Sequence, residues 1–294
     1  MAGVAVGLSA PFGALREFAG LSVTAETDGT YYLAASSTGP DENYYQTSSR
    51  ELDSLSNTAG ADWLTLPTDI KLPLLDIKGG AGPDMMSFAG HVTGIEANLA
   101  NGLVRGGGRE PFSVLMDSIE GITGTSFNDT LHGSDGSDKM RGLGGRDLIF
   151  GSAGARDTID GGASVDTLDY IGSVEAVSVS LLRGRGWSGD AQGDQISNVE
   201  NIAGSIHDDF LWGDHGNNRL EGSHGDDTLV GNGGDDYIFA GFGTDVVIFS
   251  GNRADYRITQ DGIRTDVIDN VGGDGHDILG HAEILRFADG DFIL

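Results

Sequence analysis

The 294-residue sequence contains no cysteine, which excludes disulfide bridges and thiolate metal sites. It has only 17 basic residues against 45 acidic ones, for a formal net charge of −28. Because such a chain repels phosphate backbones, duplex nucleic acid is not a predicted partner. No stretch approaches the roughly 20 consecutive apolar residues of a membrane-spanning helix, so no membrane span is predicted.

The sequence also lacks the motifs that identify common enzyme classes. There is no H-E-x-x-H zinc motif and no G-x-S-x-G nucleophile elbow. There is no phosphate-binding loop and no dinucleotide fingerprint, and a cysteine nucleophile is impossible. The sequence therefore assigns no catalytic residue. It leaves open whether the protein is an enzyme, with the balance against it.

What the sequence does contain is glycine, at 49 positions, together with a nine-residue period. An aspartate or asparagine recurs in this period, and a large apolar residue follows each one two positions later, as in the frame G-G-x-G-x-D-x-U-x. The regular members are Asp209, Asn218, Asp227, Asp236 and Asp245. The same frame occurs upstream at Asp129, Asp138 and Asp147, slips by one residue to Asp157 and Asp166, and has one further copy at Asp84.

This frame resembles the RTX (hemolysin-type) calcium-binding repeat, as Gly222-Ser-His-Gly-Asp-Asp227-Thr-Leu-Val illustrates. The resemblance implies an all-β fold, a right-handed parallel β-roll in which two repeats form one coil. It also implies several bound Ca²⁺ ions, which suit carboxylate and carbonyl oxygen ligands. The implied calcium-binding positions are Asp84, Asp129, Gly133, Gly136, Asp138, Gly142, Gly145, Asp147, Asp157, Asp166, Asp209, Gly213, Gly216, Asn218, Gly222, Gly225, Asp227, Gly231, Gly234, Asp236 and Asp245.

The geometry of this family predicts how the repeats share the coil. Asp209, Asp227 and Asp245 are expected along one edge, and Asn218 with Asp236 along the other. Glycines at the first, second and fourth positions are expected to permit backbone angles that side chains forbid. Arg156 stands where a ligand is expected, and the sequence leaves open whether Asp157 recovers that role.

Residues 77–248 are predicted to form one duplicated solenoid, because a shift of 80 residues places Ile119–Gly124 on Val199–Gly204. An alternating apolar segment in each copy predicts a strand, at Ile95–Leu99 and at Val177–Leu181. Glycine-rich segments follow, at 101–109 and 183–193, and are predicted to be loops.

The two flanks are predicted to be separate β-rich regions. Residues 249–294 are expected to cap the apolar column, as solenoids require. Their last four residues, Asp291-Phe-Ile-Leu294, resemble the secretion signal of exported bacterial metalloproteases, although they also suit a final strand. Residues 1–76 are predicted to form an N-terminal β domain, whose tyrosine pairs at 31–32 and 44–45 suit either sugar stacking or sheet packing.

The resemblance to RTX proteins implies a secreted bacterial calcium-binding protein whose repeats fold on binding Ca²⁺. It would act as a structural, adhesive or ligand-binding module, with the type I secretion apparatus and a cell-surface or polysaccharide ligand as partners. The alternative is a polysaccharide-acting protein, such as a module associated with an alginate epimerase or lyase. That alternative requires a basic and aromatic cleft, for which the sequence offers only the pair Arg183 and Arg185.

Overall fold

The computed structural model describes residues 22–23, 33–39, 42–47, 54–56, 61–65 and 75–294, except 108–111 and 154–155. Side chains are described from residue 77 onward, so both tyrosine pairs of the N-terminal region lie outside the described side chains. The chain divides into two units. The first comprises residues 1–134 with 139–145, and the second comprises residues 135–138 with 146–294.

The first unit consists of two sheets, one with equal numbers of parallel and antiparallel strand pairs and one mostly parallel. Its strands are β1 (Ser22–Val23), β2 (Leu33–Gly39), β3 (Glu42–Thr47), β4 (Ser54–Ser56), β5 (Ala61–Thr65), β6 (Leu75–Lys78), β7 (Met85–Ser87), β8 (Ile95–Asn98), β9 (Leu103–Gly106), β10 (Phe112–Asp117), β11 (Gly121–Thr123), β12 (Thr130–His132) and β13 (Lys139–Gly144). One sheet has the order β1-β4-β6-β10-β9-β8-β12, and the other has the order β2-β3-β5-β7-β11-β13.

The second unit consists of two mostly parallel sheets. Its strands are β14 (Leu148–Phe150), β15 (Thr158–Ala163), β16 (Thr167–Asp169), β17 (Ser178–Ser180), β18 (Arg185–Ser188), β19 (Gln195–Ser197), β20 (Asn201–Ala203), β21 (Phe210–Trp212), β22 (Arg219–His224), β23 (Thr228–Val230), β24 (Tyr237–Phe242), β25 (Val246–Ile248), β26 (Tyr256–Asp261), β27 (Arg264–Asp269), β28 (His276–Gly280), β29 (Ile284–Phe287) and β30 (Gly290–Ile293). The orders are β14-β16-β20-β22-β24-β28-β27-β26 and β15-β19-β18-β17-β21-β23-β25-β29-β30. Single 3₁₀ turns occur at Gly189–Ala191 and Arg253–Asp255.

The core is a column of single apolar residues, one from each nonapeptide. Leu211 pairs in register with Leu229, and Leu229 pairs with Val247, so equivalent side chains stack from coil to coil. All three are fully buried. Burial of one such side chain is worth about 1.5–3 kcal/mol, and each gains it only against its neighbours. The predicted all-β parallel β-roll is thus confirmed.

Two segments predicted to be loops each contain a strand. β9 pairs antiparallel with both β8 and β10, and β18 pairs antiparallel with both β17 and β19. The prediction of loops at 101–109 and 183–193 was therefore wrong at these strands, while residues 108–109 lie outside the described part. In the first segment Val104 and Gly106 are buried and Arg105 is exposed, an alternation that the surrounding glycines obscured.

Backbone conformation repeats at the 80-residue shift. Ser118 and Asn198 have φ of 57° and 51°, and Leu143 and Ser223 have φ of 80° and 81°.

The domain boundaries at 76/77 and 248/249 stay predictions. Strands on both sides of residue 76 pair in parallel, β5 with β7 and β4 with β6. Strands on both sides of residue 248 do the same, β25 with β29 and β24 with β28.

Candidate calcium-binding turns

The acidic residue of each repeat lies immediately before a strand and bonds to the next coil. The main-chain N–H of Asp209 donates to Oδ1 of Asp227 (2.8 Å), and that of Asp227 donates to Oδ1 of Asp245 (2.9 Å). The N–H of Asn218 donates to Oδ1 of Asp236 (2.8 Å). The structure therefore places these five residues in two columns, with the membership that the nonapeptide family predicts.

These hydrogen bonds from main-chain N–H groups to carboxylates of the next coil form a ladder. The ladder continues upstream, past the point where the nine-residue period slips by one residue. The N–H of Asp138 donates to Oδ1 of Asp157 (2.9 Å), and that of Asp147 donates to Oδ1 of Asp166 (2.8 Å). Arg156 adopts a φ of 78°, which lets the chain absorb the extra residue at the turn. Asp157 thus takes the ladder position that the sequence left open.

Five further carboxylates extend the ladder, and sequence reasoning missed all of them. Each accepts a main-chain N–H bond from a residue of the predicted set, at 2.8–2.9 Å. They are Glu120, Asp194, Glu200, Asp277 and Glu283. Each stands two positions before a buried apolar residue, as Glu283 stands before Leu285. That spacing was the available signal. Asp277 also has the glycines of a complete nonapeptide, at Gly272, Gly273 and Gly275, whereas the segments around the other four carboxylates lack that set.

The second carboxylate oxygen separates the ladder residues into two groups. In the first group Oδ2 is buried and, within the described part of the chain, accepts no hydrogen bond. Its members include Asp166, Asp227, Asp236 and Asp245. A buried carboxylate oxygen without a partner is costly, and a bound cation is one of the few groups that satisfies it. These turns therefore fit a calcium ion.

In the second group the protein itself satisfies the side-chain oxygens. Oδ2 of Asp129 accepts from the N–H of Thr125 (2.6 Å), and Oδ2 of Asp209 accepts from the N–H of Ser205 (2.5 Å). The hydroxyls of Ser152 and Tyr170 donate to Oδ2 of Asp157 (3.0 Å) and of Asp194 (2.9 Å). The N–H of Asp214 donates to Oδ1 of Asn218 (2.7 Å).

The first glycine of a repeat is required by close approach. A Cβ atom on Gly222 would collide with Oδ2 of Asp227 and with the main-chain oxygen of Ala240. The fourth-position glycines Gly225 and Gly234 do adopt positive φ, 118° and 109°. The expectation that first-position glycines serve unusual backbone angles was therefore wrong for Gly222, which packs against the carboxylate.

Four carboxylates whose second oxygen accepts no hydrogen bond from the described residues also have raised pKa values. Burial raises the pKa of Asp227, and the charges of Asp209 and Asp245 add to the effect, so that the pKa reaches about 7 against the opposing effect of a main-chain hydrogen bond. Burial likewise raises the pKa of Asp166, Asp236 and Asp245 to about 6. A cation reverses this effect, because it favours the ionised carboxylate.

A second, exposed ladder runs outside the first one. The N–H of Asp226 donates to Oδ1 of Asp208, and the N–H of Thr244 donates to Oδ1 of Asp226, both at 2.8 Å. Here the later coil donates and the earlier coil accepts, the reverse of the inner ladder. The paired aspartates of a repeat therefore have separate structural roles.

Across the described residues, no three His, Cys, Asp or Glu side chains converge as a metal-binding cluster. A cation in these turns would combine one or two carboxylates with other oxygen ligands, such as main-chain carbonyls. Such carbonyls are present, since the oxygen of Gly231 faces Gly213 one coil earlier. An all-oxygen set of this kind suits calcium.

Together these turns and columns define a calcium-binding β-roll module. Residues 123–156, 155–170, 199–223 and 212–247 match the family described as RTX calcium-binding nonapeptide repeat, in four copies. The chain thus carries RTX repeats within residues 123–247, and repeats of this family bind calcium. No curated protein matches the chain. Among the described residues, no helix is long and apolar enough to cross a membrane.

Proposed function

We propose that calcium ions bind at the turns of Asp166, Asp227, Asp236 and Asp245 and that this binding folds the β-roll. The observation that carries the proposal is the buried Oδ2 of Asp227, which accepts no hydrogen bond within the described residues. The aspartate oxygens and the carbonyls of the glycine turns would hold the ion. When bound, calcium supplies the positive charge that these buried carboxylates require.

The composition supports a fold that depends on the ion. A net charge of −28 makes the calcium-free chain repel itself, and its 49 glycines make ordering the backbone costly in entropy. Because the site exists only in the folded chain, the free energy of calcium binding adds directly to the free energy of folding.

Within this account the predicted ligands divide by whether the protein itself satisfies their side-chain oxygens. Asp129, Asp157, Asp209 and Asn218 are satisfied by neighbouring groups, and we assign them to holding the turns in place. Asp84, Asp138 and Asp147 remain proposed ligands. The glycines of the regular turns are assigned to admitting the carboxylate and to presenting carbonyls.

The calcium assignment is tested by counting bound ions. Equilibrium dialysis against radioactive calcium would compare the wild-type protein with Asp227→Ala, Asp236→Ala and Asp245→Ala. Asp261→Ala, an exposed carboxylate of β26, is the matched control for the change in charge. Each of the three substitutions is expected to remove at least one ion, and the control none. Equal stoichiometry in all five proteins would overturn the assignment.

We further propose that the protein is secreted and folds outside the cell. RTX repeat proteins are typically extracellular bacterial proteins, which supports this proposal. Extracellular calcium is high and cytosolic calcium is low, so a calcium-dependent chain would stay unfolded for export. Residues 291–293 lie in β30, paired with β29 in the folded protein, so a terminal signal would be read before folding. The adhesive or structural role outside the cell stays a prediction.

Export is tested in a bacterial host that carries a type I secretion apparatus. Deletion of residues 249–294 is expected to abolish release into the medium, and deletion of residues 1–76 is expected to preserve it. Undiminished release of the chain that lacks residues 249–294 would contradict the proposal.

A further inference from the structure

An aromatic groove lies on the outer face of the sheet that contains β17, β18 and β21. The rings of Trp187 and Trp212 meet edge to face, with centroids 6.3 Å apart and an interplanar angle of 80°. Phe210 stacks on Trp212 at 5.6 Å and 18°. The groove has a volume of about 510 Å³, and Ser178 and Asn232 add polar groups to its lining.

A basic cleft adjoins the groove. It has a volume of about 570 Å³ and is lined by Arg156, Arg183 and Arg185 together with Gln192 and Gln195. Arg183 lines both spaces, and its Cζ lies 5.8 Å from the centroid of the Trp187 ring. Sequence reasoning found only Arg183 and Arg185, because Arg156 is brought beside them by the fold.

The charges of the three cleft arginines determine what the cleft can bind. In the described part of the chain, none of them forms an ion pair, although acidic residues outnumber basic ones 45 to 17. Other exposed arginines do form ion pairs, as Arg264 with Asp266 and Arg286 with Asp291 show. Three guanidinium groups therefore remain available to an anion that the protein does not supply.

We propose that this tryptophan–arginine groove binds an oligosaccharide that contains uronic acid. The apolar face of a sugar ring packs on an indole, while its hydroxyls suit the serine and amide groups of the lining. A uronate carboxylate matches the planar fork of a guanidinium, which recognises it through two parallel hydrogen bonds. Two adjoining clefts, one aromatic and one basic, suit several linked rings.

Single-stranded nucleic acid also combines stacking with negative charge, but the chain disfavours it. Affinity for a phosphate backbone depends on a positive field along the strand, whereas this protein carries a net charge of −28. A saccharide presents one carboxylate per acidic ring and an apolar ring face between charges. The mixture of two tryptophans with three arginines fits that pattern better.

This inference rests on the proposed function in one respect, because calcium must first fold β21 and β23. The test is therefore a titration of calcium-loaded protein whose β structure has been confirmed by circular dichroism. The probe is a galacturonic acid tetramer, too short to form a gel with calcium, and the readout is tryptophan fluorescence. A neutral glucose tetramer, tetraglutamate and a short oligothymidylate are titrated in parallel at the same calcium concentration.

The uronate tetramer is expected to give a saturable fluorescence change and the neutral tetramer to bind about tenfold more weakly, which is the usual value of one lost charge-assisted contact. Arg183→Gln and Trp212→Ala should each weaken uronate binding to a similar degree. Arg257→Gln, an exposed arginine of β26, should leave it unchanged. Arg183 is exposed, and its replacement by glutamine keeps both tryptophans. The Arg183→Gln variant therefore tests the groove even if the Trp212→Ala variant fails to fold.

Equal affinity for the neutral tetramer, or indifference to Arg183→Gln, would overturn the proposal. Preferential binding of oligothymidylate or of tetraglutamate would overturn it in favour of nucleic acid or an acidic peptide. If fully folded protein does not bind the uronate tetramer, the proposal for the groove is refuted and the proposed calcium function is not. A chain that does not respond to calcium refutes the proposed function instead.

Discussion

The main-chain N–H of Asp245 donates a hydrogen bond to Oε2 of Glu283, 2.9 Å away. The last nonapeptide of this column is therefore closed by a carboxylate from the C-terminal strands. In the other column Oδ1 of Asp277 closes Asp236 in the same way, also at 2.9 Å. The strands that follow the repeats continue both the apolar core and the polar ladder, so the array does not end on exposed main-chain groups.

Replacing Glu283 should destabilise the calcium-bound protein. Glu283→Ala leaves the N–H of the fully buried Asp245 without its acceptor, which costs about 1–3 kcal/mol. Urea unfolding in saturating calcium measures the loss. Glu175→Ala removes an exposed glutamate of the same unit and serves as the control. Equal midpoints for the two variants would show that the ladder contributes nothing at this end.

Gly222→Ala should be damaging because the added Cβ collides with Oδ2 of Asp227 and with the oxygen of Ala240. Overpacking of this kind costs about 1–3 kcal/mol, and here it also displaces a proposed calcium ligand. A calcium titration followed by circular dichroism should show a higher midpoint. Gly172→Ala is the control, since no atom lies within 4 Å of its added Cβ. A normal calcium midpoint for Gly222→Ala would refute the close-approach argument.

Asp227→Ala should weaken calcium binding more than Asn218→Ala does. Asp227 has a buried oxygen that accepts no hydrogen bond from any described residue, whereas Asn218 is engaged by the protein. Its Oδ1 accepts from the N–H of Asp214, and its Nδ2 donates to the carbonyl of Glu200 at 2.9 Å. Calorimetric titration with calcium should therefore show lost affinity for Asp227→Ala. Asn218→Ala should mainly lower stability, and equal losses of affinity would contradict this distinction.

The calcium-free fold should become less stable as pH rises from about 5.5 to about 7.5, because its buried carboxylates ionise over this range with no cation beside them. In the calcium-free fold the pKa is about 7 for Asp227 and about 6 for Asp236, both raised mainly by burial. These pKa values lie above the value of about 3.9 in an unfolded chain. The calcium-free fold therefore keeps their contribution below about pH 4 and loses it as pH rises through 6 to 7.

The pH dependence is measured by circular dichroism in EDTA at several pH values, as the strength of the β spectrum. Residual β structure without calcium should be stronger at about pH 5 than at about pH 7.5, because the buried aspartates are protonated at the lower pH. A spectrum in EDTA that is the same at both pH values would contradict the raised pKa values of these buried aspartates.

The sequence predicted the repeating part of the structure because a nine-residue period fixes both neighbours of each residue. Leu229 is placed between Leu211 and Val247 by counting alone, and so is Asp227 between Asp209 and Asp245. The same counting failed where the period lapsed. Glu200 and Glu283 continue the ladder with a longer side chain and without glycines, so only their distance from the next buried residue marked them.

Two other features could not be read from local pattern. The strand Arg185–Ser188 lies in a glycine-rich segment and forms because it pairs antiparallel with its neighbours, a tertiary effect that overrides local propensity. Arg156 and Arg183 are 27 positions apart and share a cleft only once the coils have stacked. The hydrogen bonds of Ser152, Thr125 and Ser205 to the ladder aspartates likewise became visible only in the folded structure.

The central claim, that calcium folds the β-roll, is tested most directly by far-ultraviolet circular dichroism of the whole chain. Spectra would be recorded in EDTA, after addition of excess calcium, and after addition of magnesium at the same concentration. The account predicts a largely disordered spectrum in EDTA, a β spectrum in calcium, and a much weaker response to magnesium, which prefers a tighter octahedral set of ligands. A β spectrum of full strength in EDTA, unchanged by calcium, would contradict it.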